Sequence, residues 1–313
     1  MNTLETERRA AQTGALVQHR SDLSALIMTG GDRLTWLNGL VTCDLASRQP
    51  GAGVYGLLVG KTGKIAAEVW ILVAKDHLAI ALPHDRLPML REHLERHLIM
   101  EDVEILGAPE RAWLAVYGPL SGDLGAYARE LGADAAPVDF TGRGDTIAVL
   151  TPPGQLEAAE GALLARAGDR GALASPEGWE ELRIAWGVPR FGVDFDDQTL
   201  PQEASLERLA VSFTKGCYLG QETVFMLEKR GHAKKRLMRI AIQGEREVAP
   251  GSEIALPDGT AIGAVTSATK AAEGGVILAL GSVKYKHALA DAEVTIAGRP
   301  ARLLGLAATP KAG

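Results

Sequence analysis

Hydrophobic and polar positions alternate along this chain with two periods, and the switches between them divide it into elements. SALIMTGG (24–31) reads as a strand that ends on paired glycines. DRLTWLNGLVTCDL (32–45) carries Leu34, Leu37, Leu40 and Val41 at helical spacing, with Asp32 placed as N-cap. The run 54–83 parses as three strands, 54–59, 65–74 and 77–82, with turns at Lys61 to Gly63 and at Lys75-Asp76. A helix is predicted from Asp85, with Leu87, Leu90, Leu94 and Leu98 on one stripe. Strands at 103–106 and 113–118, a helix over 119–131, a strand at 146–150 and a helix over 156–168 follow. Residues 175–189 form a well-punctuated helix: Ser175 as N-cap, Pro176 in the first turn, a stop at Gly187 and Pro189 beyond. Trp179, Leu182 and Trp186 are its apolar stripe, and Arg183 lies between them, facing either a cleft or a surface ion pair. Residues 1–14 are a tail or a short helix.

From Leu237 the period shortens to that of strands: 237–243, 253–256, 261–269, 276–285, 293–297 and 301–307, with PDGT and AGRP as turns. That spacing predicts a small β-barrel. Strands alternating with helices over 1–234 indicate an α+β or α/β body there, ahead of a C-terminal barrel over 235–313.

Composition narrows the class. The chain has 313 residues, with 46% hydrophobic and 23% charged, a soluble globular composition for a chain of more than one domain. The net charge of −6 argues against a nucleic-acid coat protein and leaves room for a local basic patch. The two cysteines, Cys43 and Cys217, are far apart, which excludes a disulfide scaffold and a CxxC metal site. The first residues lack the apolar core of a signal peptide, and no apolar run is long enough to span a bilayer, so a reducing cytoplasm is expected, with no membrane partner.

Candidate chemistry gathers at KGCYLGQET (215–223). A helix is predicted from Gln221 through about Lys229. Cys217 then lies just before its positive end, and Lys215 is two residues away; both favour a thiolate. Gly216 and Gly220 permit positive φ. A tight loop whose cysteine packs as a small apolar side chain is the competing reading. His93 and His97 have metal-ligand spacing but no third ligand nearby, and read as boundary histidines. Lys229, Arg230, His232, Lys234, Lys235, Arg236 and Arg239 make a basic run that either grips an anion, such as a polyglutamate tail or RNA phosphate, or is a solvated linker.

The uninterrupted run from Lys215 to Glu222 resembles the K-G-C-[YF]-x-G-Q-E signature of the YgfZ family of folate-binding proteins, relatives of the glycine-cleavage T-protein. The G-x-P-x-x-G-x-D stretch at 187–194, followed by Glu203 at an LP-x-E position, resembles the same families, as does G-x-V-T-S at 263–267. Thr42-Cys43-Asp44 resembles their TND turn, with cysteine for asparagine; Cys43 reads as buried filler.

The resemblance implies an aminomethyltransferase-like, three-lobed body around a central opening that holds tetrahydrofolate or a derivative. It implies a role in iron–sulfur cluster assembly or repair, including for tRNA-modifying enzymes. Cys217 and Lys215 would carry the chemistry. Arg183, Glu203, Gly216, Tyr218, Gly220, Gln221 and Glu222 would line the folate site. Iron–sulfur enzymes or assembly factors would be the partners.

Two T-protein features are altered. Its acidic pair in G-G-I-x-D-D matches Ala67 and Glu68, and its T-G-Y-T-G-E loop matches 141–145, with Asp145 in place of the glutamate. A tetrahydrofolate-dependent one-carbon transferase using Glu68 or Asp145 as base is the alternative function.

Overall fold

In the computed structural model, residues 3–270 and 275–309 are described. They fall into two compact units interleaved in sequence: 1–59, 66–178 and 210–219 form the first, and 60–65, 179–209 and 220–313 the second.

In the first unit, helix α1 (Thr3–Thr13) leads to strands β1 (Ala15–His19) and β2 (Leu23–Thr29) and a short helix α2 (Arg33–Asn38). Strands β3 (Gly53–Val59), β4 (Ile65–Val73) and β5 (Leu78–Pro83) precede α3 (Leu87–Glu95). Then come β6 (Glu104–Gly107), β7 (Trp113–Tyr117), α4 (Ser121–Glu130), β8 (Asp134–Pro137), β9 (Thr146–Leu150), α5 (Leu156–Ala167) and β10 (Gly171–Leu173). They build two five-stranded sheets, ordered β10-β1-β7-β9-β8 and β3-β4-β5-β2-β6. The first sheet buries Val17, Val116 and Val149 against Leu124 of α4 and Leu163 of α5. The second buries Ile71, Ile80 and Met28 with Leu90 and Leu94 of α3, the stripe read from the leucine spacing.

The second unit holds most of α6 (Pro176–Trp186), then α7 (Glu207–Ala210), α8 (Gln221–Arg230) and a closed barrel. The barrel strands are β11 (Lys235–Gln243), β12 (Glu253–Ala255), β13 (Ala261–Ala268), β14 (Val276–Lys284), β15 (Glu293–Ile296) and β16 (Arg299–Leu306). Their order around the ring is β11-β14-β13-β12-β15-β16. Alternate residues such as Ile240, Ile242, Ile277 and Leu303 fill its interior.

The structure corrects the expected helix over 32–45. It stops at Asn38, and the Asp32 carboxylate accepts the Asp102 amide (2.9 Å) instead of capping the helix. Leu40 and Val41 are buried as predicted, but from a turn in which Val41 bridges to Leu58. Helical spacing of apolar residues could not separate the two. Ser175 does cap α6, its Oγ accepting the Gly178 amide (3.0 Å). Strands β1, β8 and β10 are short and were not distinguished from loops by their pattern.

Candidate functional site

The KGC stretch belongs to the first unit and is bound to the turn that follows α2. Thr42 sits at the centre of that attachment. Its hydroxyl donates to the Ala210 carbonyl (2.6 Å) and accepts the Leu57 amide (2.9 Å). Its carbonyl accepts the Ser212 amide, and the Leu219 amide donates to the Gly39 carbonyl (3.0 Å). The loop between 210 and 219 is thus fastened at both ends to one turn of backbone.

Between those fastenings lies Lys215. Its Nζ donates to three carbonyls, of Asn38 (2.5 Å), Val41 (2.8 Å) and Cys43 (2.7 Å). The end of a short helix exposes such carbonyls, and an ammonium is the group they favour. Nζ also stands 5.2 Å from the centroid of the buried Tyr218 ring, within cation–π range. Burial pulls the Lys215 ammonium down to about 8. The charge expected to face Cys217 is therefore directed elsewhere: all three ammonium hydrogens go to the 38–43 turn. Tyr218 is buried, which pushes its phenol up.

With Lys215 and Tyr218 turned inward, Gly216 and Cys217 project outward, and Cys217 is exposed. Gly220 takes φ +78° as the residue before α8, where a side chain would be strained. Gly216 does not adopt positive φ, so only the second glycine has that role. Glu222 is exposed in the first turn of α8, where a carboxylate suits the helix dipole; Gln221 is half-buried beside it. Cys43 is buried, and its thiol is pushed up to about 12 by burial. Its Sγ would lie 2.4 Å from a Cβ added at Gly56, so the close approach of β3 needs glycine there.

In the second unit, Arg183 lies on neither a cleft nor the surface. It is 1% exposed. Its Nε and Nη2 donate to Glu180 (2.7 and 2.5 Å), Nη1 to Asp194 (2.8 Å) and Nη2 also to Ser267 (2.9 Å). The other Asp194 oxygen accepts Thr266 (2.5 Å) and Ser267 (2.7 Å). Arg183 thus clamps α6, the 190–194 turn and β13 together. Helix periodicity could place it on the apolar stripe but could not supply Asp194 and Ser267.

Glu203 is half-buried, and its Oε2 accepts the Leu200 amide (3.2 Å). Asp145 is paired with Arg143 within its own loop (3.0 Å). Glu68, on β4, is half-buried and accepts the Tyr55 hydroxyl at 2.5 Å. Beside it a cluster absent from the sequence reading emerges: the Arg20 guanidinium lies 4.6 Å above the Trp70 ring, which stacks on Phe140 at 4.5 Å. No signal of short-range spacing joins Arg20, Trp70 and Phe140. The His93 and His97 rings lie 4.8 Å apart with their planes tilted by 57°, and among the described residues no cluster of three or more metal-ligating side chains occurs.

No family model matches the chain. Its fold is that of the aminomethyltransferases: glycine cleavage system aminomethyltransferase T from Bartonella henselae superposes with TM-score 0.83 at 18% identity, covering 99% of this chain and 90% of that one. In sequence the chain is similar to YgfZ proteins. It is 26% identical over 244 residues to the tRNA-modifying protein YgfZ of Yersinia enterocolitica, 74% of this chain and 73% of that protein. It is 29% identical over 229 residues to the protein of that name from Hamiltonella defensa, 69% of this chain and 67% of that one. A chloroplastic protein of Arabidopsis thaliana is 28% identical over 310 residues, covering 92% of this chain and 69% of its own. No described helix is long and apolar enough to cross a membrane.

Proposed function

We propose that this protein is a cytoplasmic, YgfZ-like, tetrahydrofolate-binding factor that supports iron–sulfur enzymes, including those that modify tRNA. The observation that carries the reading is the KGCYLGQE loop. It is fastened to the 38–43 turn so that Cys217 stands outward, in a chain whose fold is that of an aminomethyltransferase and whose relatives are named YgfZ.

The donor set suits a pteridine in kind. A pteridine presents adjacent N–H groups, and an ionised carboxylate is the acceptor that matches them. Glu203 has one oxygen on a backbone amide and acceptor capacity left over. It would hold the ring. Arg183 is withdrawn from that role because Glu180, Asp194 and Ser267 engage its guanidinium. Tetrahydrofolate, when bound, supplies a carrier for a one-carbon unit. Gly220 shapes the loop, and Cys217 is its reactive thiol.

Calorimetric titration with tetrahydrofolate tests the binding claim: heat that Glu203→Ala removes is the expected outcome, and no heat at high micromolar ligand overturns it. Cys217→Ala in a host lacking the gene should lower the activity of cluster-dependent enzymes without lowering folate binding.

A one-carbon transferase is the second reading, favoured by the short Tyr55–Glu68 contact on β3 and β4. Its mark is turnover of an aminomethylated carrier protein that Glu68→Gln abolishes. Folate binding with no turnover leaves the first reading standing.

A further inference from the structure

The basic run does not act as one body, because the fold sorts it. Arg236 is half-buried and paired with Glu207, and Arg239 donates to the Ala185 carbonyl (3.1 Å); the Arg230 side chain lies outside the described residues. Lys234 and Lys235 are exposed. The barrel then adds cations remote in sequence. In the β11–β14 ladder, Lys235 is the direct partner of Lys284. The Tyr285 amide donates to the Lys234 carbonyl (3.0 Å), which brings Lys286 alongside. All four lysines are exposed, and among the described residues none of their ammonium groups is in an ion pair; Lys284 donates to the Ala261 carbonyl (3.0 Å). Like charges set directly opposite on a sheet cost stability in the isolated protein. The charge bordering the cluster from the acidic side is Asp196, near Lys235.

Aromatic rings stand among these lysines. The His232 ring stacks on Tyr285 with centroids 4.3 Å apart and planes within 18°. Tyr285 is 43% exposed, an unusual exposure for a side chain of its size, and His232 is exposed as well. Cations alone would suit any polyanion. Cations around an exposed, nearly parallel ring pair suit a chain of phosphates that also carries flat bases.

We infer that the end of the barrel formed by His232, Lys234, Lys235, Lys284, Tyr285 and Lys286 is a binding face for single-stranded nucleic acid. The lysines meet successive phosphates, and a base stacks on the Tyr285–His232 pair. This face goes beyond the folate reading and does not depend on it: every group in it belongs to the barrel and the segment entering it.

The test is fluorescence anisotropy of the full chain with a labelled twelve-nucleotide oligouridylate. Four lysine–phosphate contacts predict a loss of affinity of about 50-fold between 50 and 200 mM salt. Lys234→Gln with Lys286→Gln should halve that salt slope. Tyr285→Ala should weaken binding about tenfold and leave the slope unchanged, while Tyr285→Phe retains binding. All three positions are exposed, and circular dichroism checks that the variants fold. Cys217→Ser should change nothing. Absence of binding at 50 mM salt overturns the inference. So does equal binding by Tyr285→Ala and the parent, or equal affinity for an abasic oligomer, polyglutamate or phosphatidylglycerol vesicles, which would make the face a general anion patch or a membrane contact. Calorimetry with tetrahydrofolate on the same preparation reports separately on the folate reading.

Discussion

Two cations in this molecule, the half-buried Lys215 and the buried Arg183, are held by opposite means. Lys215, in the first unit, is surrounded by carbonyl dipoles of the 38–43 turn. Arg183, in the second, is surrounded by the carboxylates of Glu180 and Asp194. Burial acts to lower both. Around Arg183 the hydrogen bonds and charges of the two acids outweigh it, and the guanidinium stands above the ordinary arginine value. Around Lys215 burial outweighs the opposing charge of Asp44, among the described residues no ion pair replaces the lost water, and the ammonium falls to about 8. A cation among full charges is permanent and structural. A cation among dipoles can be discharged near neutral pH, in the same loop as the exposed thiol.

The sharpest way to break this contrast is to remove one partner of each. Arg183→Met would leave Asp194 buried with only Thr266, Ser267 and the Arg190 amide. An uncompensated buried charge costs about 3–5 kcal/mol, which denaturant unfolding would register. Arg183→Met with Asp194→Leu should recover part of that loss, because the pair rather than either charge is what the site tolerates.

Gly220→Ala tests the hinge between the Lys215 loop and α8. At φ +78° the added Cβ should cost about 1–2 kcal/mol, and an unchanged unfolding midpoint would mean the turn has relaxed.

The pH profile separates the two cations directly. The folded value of Lys215 lies below its ordinary 10.5, so the unfolded chain keeps that proton to higher pH. The folded state therefore gains stability as pH rises from about 8 towards 10.5. The parent should gain on Lys215→Met across that window. A constant difference between the two would place Lys215 with Arg183, as a permanent charge.

Cys217→Ser should have the smallest effect, within about 0.5 kcal/mol, because the side chain is exposed. Loss of cluster-enzyme support with stability intact would assign the thiol to function. A large loss of stability would return it to packing.

Local signals carried a good part of the fold. The leucine stripe of α3, the Ser175 cap of α6 and the strands of the barrel are legible because an apolar period or a cap is written within a few residues. The KGCYLGQE run marked its loop by resemblance, and Gly220 by its need for positive φ. The helix over 32–45 was overextended because a buried turn and a helix can share apolar spacing.

By itself, then, the sequence determined most of the element types, the barrel and the loop that carries Cys217. The partners of its charges were decided only by tertiary structure. Lys215 finds carbonyls more than a hundred and seventy residues away, Arg183 finds Ser267, and Lys235 is set against Lys284 by strand register. The physical reason is range. Backbone propensity and apolar periodicity act over a few residues, whereas a charge is satisfied by whatever the folded chain brings within hydrogen-bond distance.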